Sequence, residues 1–293
     1  MNTIPSKLYR LLTLLTASIF AIAFTIPVLI TLTNSFMTGF EIDYRYSLQI
    51  QPGNYFRLLE PMPNINFADM SMIPSWFTLR QYLTLLLDTP SYLIGFWNSI
   101  MITFPSVAGQ LLVAAPAAYA FEVCKWRHKE KLFFVYIVIM LMPLPVVLVP
   151  QFVMAGFIGI QDSVLAVIFP AMFSPFGVFL LRQFLKTMPL DYLEAAKIDG
   201  AGYMLSLLAI VVPLLKPAMA ALAILTFVDY WNVVEQAIIF IPDSRMMPLS
   251  VTLSHIRTDI IFAASCFYMI PALLVFLYGQ EYLTEGIQLS GIK

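Results

Sequence analysis

The chain has 293 residues, of which 60% are hydrophobic and 11% are charged, and its formal net charge is −1. A soluble domain carries about 25% charged residues, so this composition excludes an ordinary soluble protein. The small net charge excludes the broad basic surface of a nucleic-acid-binding protein. The two cysteines, Cys124 and Cys266, lack the CxxC spacing of a metal or redox site. We therefore predict an all-α integral membrane protein.

Four runs without Asp, Glu, Lys or Arg, at 11–40, 89–121, 132–161 and 260–280, are each long enough to cross a bilayer, which takes about 20 apolar residues. The hydrophobic pattern of the whole chain predicts about six spans, near 11–35, 92–121, 132–154, 163–181, 214–239 and 261–281. The apolar stretch 201–215 is not counted as a seventh span, because it is too short to cross and contains Pro213.

Charge bias predicts that both termini are cytoplasmic. With six spans the termini lie on one side, and the segments on that side hold eleven of the 16 Lys and Arg residues. An excess of Lys and Arg marks the cytoplasmic side of a membrane protein. The loop 122–131, EVCKWRHKEK, is the strongest single anchor of this topology.

The spans divide the chain into three parts. Residues 1–36 form an N-terminal transmembrane helix, 37–91 an extracytoplasmic segment, and 92–293 a five-span core that includes a polar segment at 188–213. The extracytoplasmic segment contains the turn-forming clusters PGN at 52–54 and PMPN at 61–64, and its aromatic residues predict a small packed cap. Whether this cap binds a partner stays open.

The polar segment is predicted to form a short helix, a bend and a second helix. Asp191 and Glu194 stand at capping-box spacing, and Gly200 is the residue type that ends a helix with a positive φ. The second helix should lead into the fifth span at Pro213. By its residues alone, the first helix is a capped surface helix that packs on its own bundle or on another protein.

Two acidic residues, Asp229 and Glu235, fall within the predicted fifth span. Acidic residues in a span are costly and usually functional. On a regular helix a rotation of about 240° around the axis would separate the two and place them on different faces, so one could face a solute pathway and the other a subunit interface. Neighbouring aromatic and amide side chains are of the types that hold sugars, although they also mark membrane interfaces and pin helices together. The candidate pathway residues are Asn98, Asp229, Tyr230, Trp231, Asn232 and Glu235.

The polar segment carries a family signature. The run Glu194-Ala195-Ala196, then Gly200, then Ile210-Val211-Val212-Pro213 resembles the EAA signature of permease subunits of binding-protein-dependent ABC importers, with Val212 where Leu is usual. Trp97-Asn98-Ser99, AAYAF at 117–121, LLRQF at 180–184 and Trp231-Asn232 are similar to the carbohydrate-uptake, maltose-type branch. The resemblance extends from about residue 92 to the C-terminus.

The resemblance implies a transmembrane subunit of an ATP-driven importer of a sugar or oligosaccharide, which forms half of the translocation pathway. The helix between spans four and five would be a cytoplasmic coupling helix that docks on a separate ATPase dimer. The other implied partners are a second permease subunit and an extracytoplasmic solute-binding protein. The implied ATPase-coupling residues are Glu194, Ala195, Ala196, Lys197, Gly200 and Pro213.

The chain itself is not expected to be an enzyme or to hold a cofactor. It contains no G-x-x-x-x-G-K-[ST] loop, and we predict no catalytic or metal-binding residue. ATP and Mg are expected in the partner ATPase. Two alternatives stay open: a proton-coupled secondary transporter, and a non-transporting membrane scaffold that recruits an ATPase.

Overall fold

A computed structural model describes residues 6–46, 73–188 and 191–289, with side chains described over 10–46, 73–188 and 191–282. These residues form helices and no strand. The α-helices are α1 (Ser6–Asn34), α2 (Gly39–Tyr46), α3 (Arg80–Leu87), α4 (Pro90–Glu122), α5 (Lys129–Met140), α6 (Leu144–Phe157), α7 (Leu165–Met172), α8 (Pro175–Thr187), α9 (Asp191–Ile198), α10 (Tyr203–Ser206), α11 (Val212–Leu214), α12 (Lys216–Trp231), α13 (Glu235–Phe240), α14 (Leu249–Thr252) and α15 (Ile261–Leu289). The predicted all-α membrane fold is confirmed.

Among the described residues, four helical stretches are long and apolar enough to cross a membrane: Arg10–Asn34, Pro90–Glu122, Leu165–Thr187 and Thr258–Tyr282. Two bent pairs raise the number to six if each pair is one span. They are Lys129–Met140 with Leu144–Phe157, bent by 109°, and Tyr203–Leu214 with Lys216–Trp231, bent by 75°. The count of six spans stays a prediction.

The fifth predicted span differs in its bounds from the helices of the structure. We expected 214–239, whereas the bent pair covers Tyr203–Leu214 and Lys216–Trp231 and ends well before 239. The stretch 201–215 contains the first arm of this bent pair, and its exclusion as a separate span stays a prediction. Turn clusters at 52–54 and 61–64 lie outside the described residues.

The chain folds into two compact units, and the first is drawn from Met1–Tyr92 and His255–Met269. The buried amide of Gln81 holds this unit together. Its Nε2 donates to the carbonyl oxygens of Asn34 (2.9 Å) and Met37 (2.8 Å), and its Oε1 accepts from the N–H of Ala263 (3.3 Å). One side chain thereby joins the end of α1, helix α3 and the start of α15, and its burial is compensated by three hydrogen bonds.

The second unit is drawn from Leu93–Ser254 and Ile270–Lys293. Its largest core cluster combines small residues of α4, such as Ala114 and Ala118, with Val178 and Leu181 of α8. Small side chains let two helix backbones approach closely, which is how helices associate inside a membrane. The same cluster contains Leu193 of α9, so the short polar helix shares its core with the long helices.

Candidate coupling helix and polar cavity

Helix α9 ends where the sequence predicts. Gly200 has a φ of 82°, a left-handed conformation that glycine adopts without steric cost. The N–H of Gly200 donates to the carbonyl of Lys197 (3.1 Å), and the N–H of Ala201 donates to that of Ala196 (2.9 Å). This pair of bonds is a Schellman motif, which satisfies the last carbonyls of the helix and turns the chain. Helix α9 begins at Asp191, so Asp191 and Glu194 both lie in its first turn, whereas the predicted capping box requires Asp191 to precede the helix.

One side of α9 is anchored and most of the rest is exposed. Leu193 is 7% exposed and packs in one core cluster with Leu207 of the next helix and Leu185 of α8. Glu194, Ala195 and Lys197 are exposed, and Ala196 is half-buried. The helix therefore presents its predicted coupling residues outward from an anchored base.

Large apolar side chains surround these residues on the surface. Most of them are more than half exposed, and Ile198 is 86% exposed. An exposed apolar patch beside orientable charges is typical of a protein–protein contact surface. The patch consists of Tyr192, Ile198, Tyr203, Met204 and Leu205.

The segment after Gly200 leads into the long helix α12. It contains a π-helical turn at Leu207–Val211 and then Pro213, which is exposed within α11. The π-turn is the kind of local irregularity that recurs at functional sites. The chain bends by 75° before Lys216–Trp231.

A buried arginine joins α8 to the end of α4 and the start of α5. The side chain of Arg182 is 2% exposed, and it pairs with Glu122 (Nε to Oε2, 3.0 Å) and Glu130 (NH2 to Oε1, 2.6 Å). Its guanidinium carbon also lies 3.9 Å from the ring centroid of Phe133, a cation–π contact. The loop 122–131 is thereby fastened to α8, the helix that precedes α9.

The two acidic residues of the predicted fifth span line one cavity. Helix α12 ends at Trp231 and α13 begins at Glu235, so Asp229 and Glu235 do not lie on one regular helix. The assumption of one regular helix through both residues is wrong, and both residues line the same space. That space has a volume of about 450 Å³.

Most of the other cavity-lining residues carry neutral polar groups. Thr226 donates to the amide oxygen of Gln110 (2.5 Å), and both residues are buried. Gly177 allows this arrangement, because a Cβ there would lie 2.7 Å from Gln110 Nε2. Ser250 donates to the carbonyl of Val233 and thereby fixes the break between α12 and α13. The polar lining residues are Gln110, Ser174, Thr226, Asp229, Tyr230, Asn232, Glu235 and Gln236.

Comparison with known proteins identifies the family. No family model matches the chain. The chain is 30% identical over 208 residues to the melibiose/raffinose/stachyose import permease protein MelC of Bacillus subtilis, covering 68% of this chain and 75% of the relative. The chain belongs to the ABC importer permeases. This permease is also 27% identical over 226 residues to the arabinooligosaccharides transport system permease protein AraQ of Halalkalibacterium halodurans, with 75% and 81% covered.

Solved structures share the fold of the permease. A bacterial ABC transporter involved in the import of the acidic polysaccharide alginate matches with a TM-score of 0.77 at 19% identity, over 96% of this chain and 99% of the other. An alginate ABC transporter in complex with a pentasaccharide-bound periplasmic protein matches with a TM-score of 0.53 at 16% identity, over 69% and 81%. As a permease subunit, the chain is a multi-pass membrane protein and not an enzyme.

Two of the predicted pathway residues of the permease lie outside the cavity lining. Trp231 is 1% exposed and stacks on Phe227 at a centroid distance of 5.5 Å, so its ring face is covered by its own core. Asn98 donates to the carbonyls of Arg245 (2.7 Å) and Met247 (3.0 Å), and these bonds hold the segment between α13 and α14 in place. Asp229, Tyr230, Asn232 and Glu235 do line the cavity.

Sequence reasoning missed several polar residues of the permease. Gln110 and Thr226 are uncharged and stand in apolar runs, where a single amide or hydroxyl gives little signal. Arg182 was visible as a basic residue next to a predicted span, but its carboxylate partners lie 52 and 60 residues away in sequence. A buried arginine demands such partners, although the sequence does not say which carboxylates they are.

Proposed function

We propose that this permease is the transmembrane subunit of an ATP-driven importer of a sugar or oligosaccharide, and that α9 is its coupling helix. The proposal rests on the geometry of α9. This helix is anchored by Leu193 and presents Glu194 and Lys197 outward beside an exposed apolar patch. Such a short helix is marginal alone, so both its core anchor and a docked partner contribute to its order.

The partners of the proposed importer are those that the resemblance to binding-protein-dependent ABC importers implies. They are a second permease subunit, a cytoplasmic ATPase dimer that binds ATP and Mg, and an extracytoplasmic solute-binding protein. Both termini and α9 lie in the cytoplasm in this proposal, as the distribution of Lys and Arg supports. The division into 1–36, 37–91 and 92–293 belongs to the same proposal.

The proposed coupling runs through the core of the second unit. Glu194 would pair with a basic residue of the ATPase, and Gly200 and Pro213 set the direction of the segments that follow. Because Leu193 shares one core cluster with Leu181 and Ala118, a displacement of α9 moves α8 and α4 with it. Packed cores switch between discrete arrangements, so ATPase closure would reorient whole helices.

The proposed solute pathway includes the polar cavity of the second unit. Its hydroxyl, amide and carboxylate groups can exchange hydrogen bonds with sugar hydroxyls. Asp229, Tyr230, Asn232 and Glu235 are the proposed pathway residues. Trp231 and Asn98 are proposed to support the pathway from outside it, because neither lines the cavity and both side chains contact protein groups.

The coupling assignment is tested by co-purification of the permease with the ATPase encoded beside it. Glu194→Ala and Gly200→Pro are expected to reduce both complex formation and ATPase stimulation by the solute-binding protein. Asp199→Asn is the matched control, because Asp199 is an exposed carboxyl group of the same segment outside the signature. Unchanged complex formation and stimulation in both test variants would overturn the assignment.

Membership of the ABC importer permeases argues against the second candidate, a proton-coupled secondary transporter, and a single observation favours it. Asp229 and Glu235 line a cavity, and in the part of the chain that the structure describes neither forms an ion pair. Vesicle uptake separates the two functions. Uptake that persists without ATP and collapses with the proton gradient would support the second candidate, whereas uptake that requires ATP hydrolysis would exclude it.

A further inference from the structure

The polar cavity of the second unit carries an unbalanced charge. Among its described lining residues, Asp229 and Glu235 are acidic and none is basic. Both side chains are solvent-exposed. In the described part of the chain, neither makes a hydrogen bond or an ion pair.

The buried arginine of this unit, Arg182, forms its ion pairs outside the cavity. Arg182 is paired with Glu122 and Glu130, and those two residues do not line the cavity. The remaining polar lining groups are hydroxyls and amides, which carry no formal charge. No described lining group therefore offsets the two carboxylates.

We propose that this cavity selects against anionic solutes, so that the permease carries a neutral polyhydroxylated solute or one with an amino group. The proposal rests on the proposed function, because it treats the cavity as part of the solute pathway. It distinguishes the permease from the structurally similar transporter that imports the acidic polysaccharide alginate.

The physical reason is the strength of charge interactions at low dielectric. At an effective dielectric constant of about 20, two like charges about 8 Å apart repel by roughly 2 kcal/mol. When all charged groups of a cavity wall have the same sign and the wall is surrounded by low-dielectric protein and lipid, their electric field is concentrated within the pathway. Rings of acidic side chains in cation-selective channels act by the same rule.

Neutral sugars do not meet this barrier. Their hydroxyl groups donate to ionised carboxylates, and such charge-assisted hydrogen bonds are about twice as strong as neutral ones. The amide of Asn232 and the hydroxyl of Tyr230 add groups that both donate and accept. The same lining thus favours a neutral or amino sugar and disfavours a uronate or a sugar phosphate.

The charge of the cavity is measured directly with a cysteine at Ser174, a near-isosteric change at a lining position. The background is the permease with Cys124→Ser and Cys266→Ser, in its complex and in native lipid. Labelling rates are taken with a cationic, an anionic and a neutral methanethiosulfonate reagent. The rate of labelling by the cationic reagent is divided by the rate of labelling by the anionic reagent. This ratio is then normalised to the same ratio measured for 2-mercaptoethanol in solution.

We expect the normalised ratio at Ser174→Cys to be about 10, because the two carboxylates attract the cationic reagent and repel the anionic one. Asp229→Asn together with Glu235→Gln should return it toward 1. The control Asp243→Asn, at an exposed carboxyl group that does not line the cavity, should leave it unchanged. A ratio at or below 1 in the otherwise unmodified cavity would overturn the proposal.

Failure of the proposed function gives a different result. If the cysteine reacts with the neutral reagent at a normal rate but without charge preference, the pathway stands and the charge selection fails. If it reacts with none of the three reagents, the cavity is not open to solutes, and both the pathway and the charge selection fail. Uptake of size-matched neutral, uronate and amino trisaccharides by the complete importer then extends the result to solutes.

Discussion

The guanidinium of Arg182 lies 3.0 Å from a carboxylate oxygen of Glu122, and both groups are withdrawn from solvent, with 2% and 17% of their side chains exposed. The second partner, Glu130, is 66% exposed. An ion pair contributes most when neither partner is solvated and little when one is in water. The ion pair of Arg182 with Glu122 therefore contributes more to stability than its ion pair with Glu130.

Glu122→Gln is expected to destabilise the permease more than Glu130→Gln. Loss of a charge-assisted hydrogen bond to a buried arginine costs about 1–3 kcal/mol, whereas loss of an exposed pair costs less than about 1 kcal/mol. The check is the apparent Tm of each purified variant in the same detergent. Equal shifts for the two variants would contradict the ranking.

Gly200→Ala is expected to weaken the end of α9, whereas Gly202→Ala is not. Gly200 has a φ of 82°, and an L-residue in the left-handed region costs about 1–2 kcal/mol. Gly202 has a φ of −74°, and no atom lies within 4 Å of the position that an added methyl group would take, so alanine fits there. Hydrogen exchange should accelerate at the amides of residues 200 and 201 in the first variant alone. Similar protection in both variants would show that the turn tolerates a side chain.

Thr226→Val is expected to destabilise the cavity wall, and Thr226→Ser is the matched control. Valine preserves the volume but removes the donor to Gln110 Oε1, which leaves a buried acceptor without its partner at a cost of about 1–3 kcal/mol. Serine keeps the hydroxyl and loses one methyl group. Thermal unfolding should rank wild type and serine above valine, and the reverse order of the two variants would contradict the role of this bond.

Glu41→Gln is expected to lower stability at neutral pH and to lose this effect in acid. Burial opposes ionisation of Glu41, but the N–H of Ser75 (2.8 Å) and the guanidinium of Arg45 (2.9 Å) outweigh it and hold the pKa of this carboxyl below its usual value. A lowered pKa in the folded state stabilises the protein above the unfolded-state pKa, about 4.3. That stabilisation is lost as the pH falls through the folded-state pKa.

The measurement for Glu41 is the difference in apparent Tm between wild type and Glu41→Gln at a series of pH values. It should be constant near neutral pH and shrink below about pH 4, where the wild-type carboxyl becomes protonated. A difference that is independent of pH would show that the substitution acts through packing rather than charge.

The local sequence pattern predicted those structural features that depend only on residues close together in the chain. The length of an apolar run sets whether a helix can cross a bilayer, and the all-α membrane fold followed from this rule. The end of α9 at Gly200 was also predictable, because the left-handed turn is a property of one glycine and its neighbours. The family resemblance came from the same short segment.

The cavity was less predictable. Helical periodicity placed Asp229 and Glu235 on different faces, which requires an unbroken helix through both. The helix ends at Trp231, whose ring packs against Phe96, and Ser250 binds the carbonyl of Val233 just after this end. Phe96 and Ser250 belong to other parts of the chain, and the local sequence gives no sign of these contacts.

The sequence by itself determined the class of protein, the long apolar helices and the glycine-capped end of α9, because each depends on local hydrophobicity or on a single turn. Only the tertiary structure decided which polar residues meet. It paired Arg182 with Glu122 across 60 positions and Gln110 with Thr226 across 116. A buried polar group must find a partner, but the identity of that partner depends on how the helices pack, and packing is a property of the whole unit.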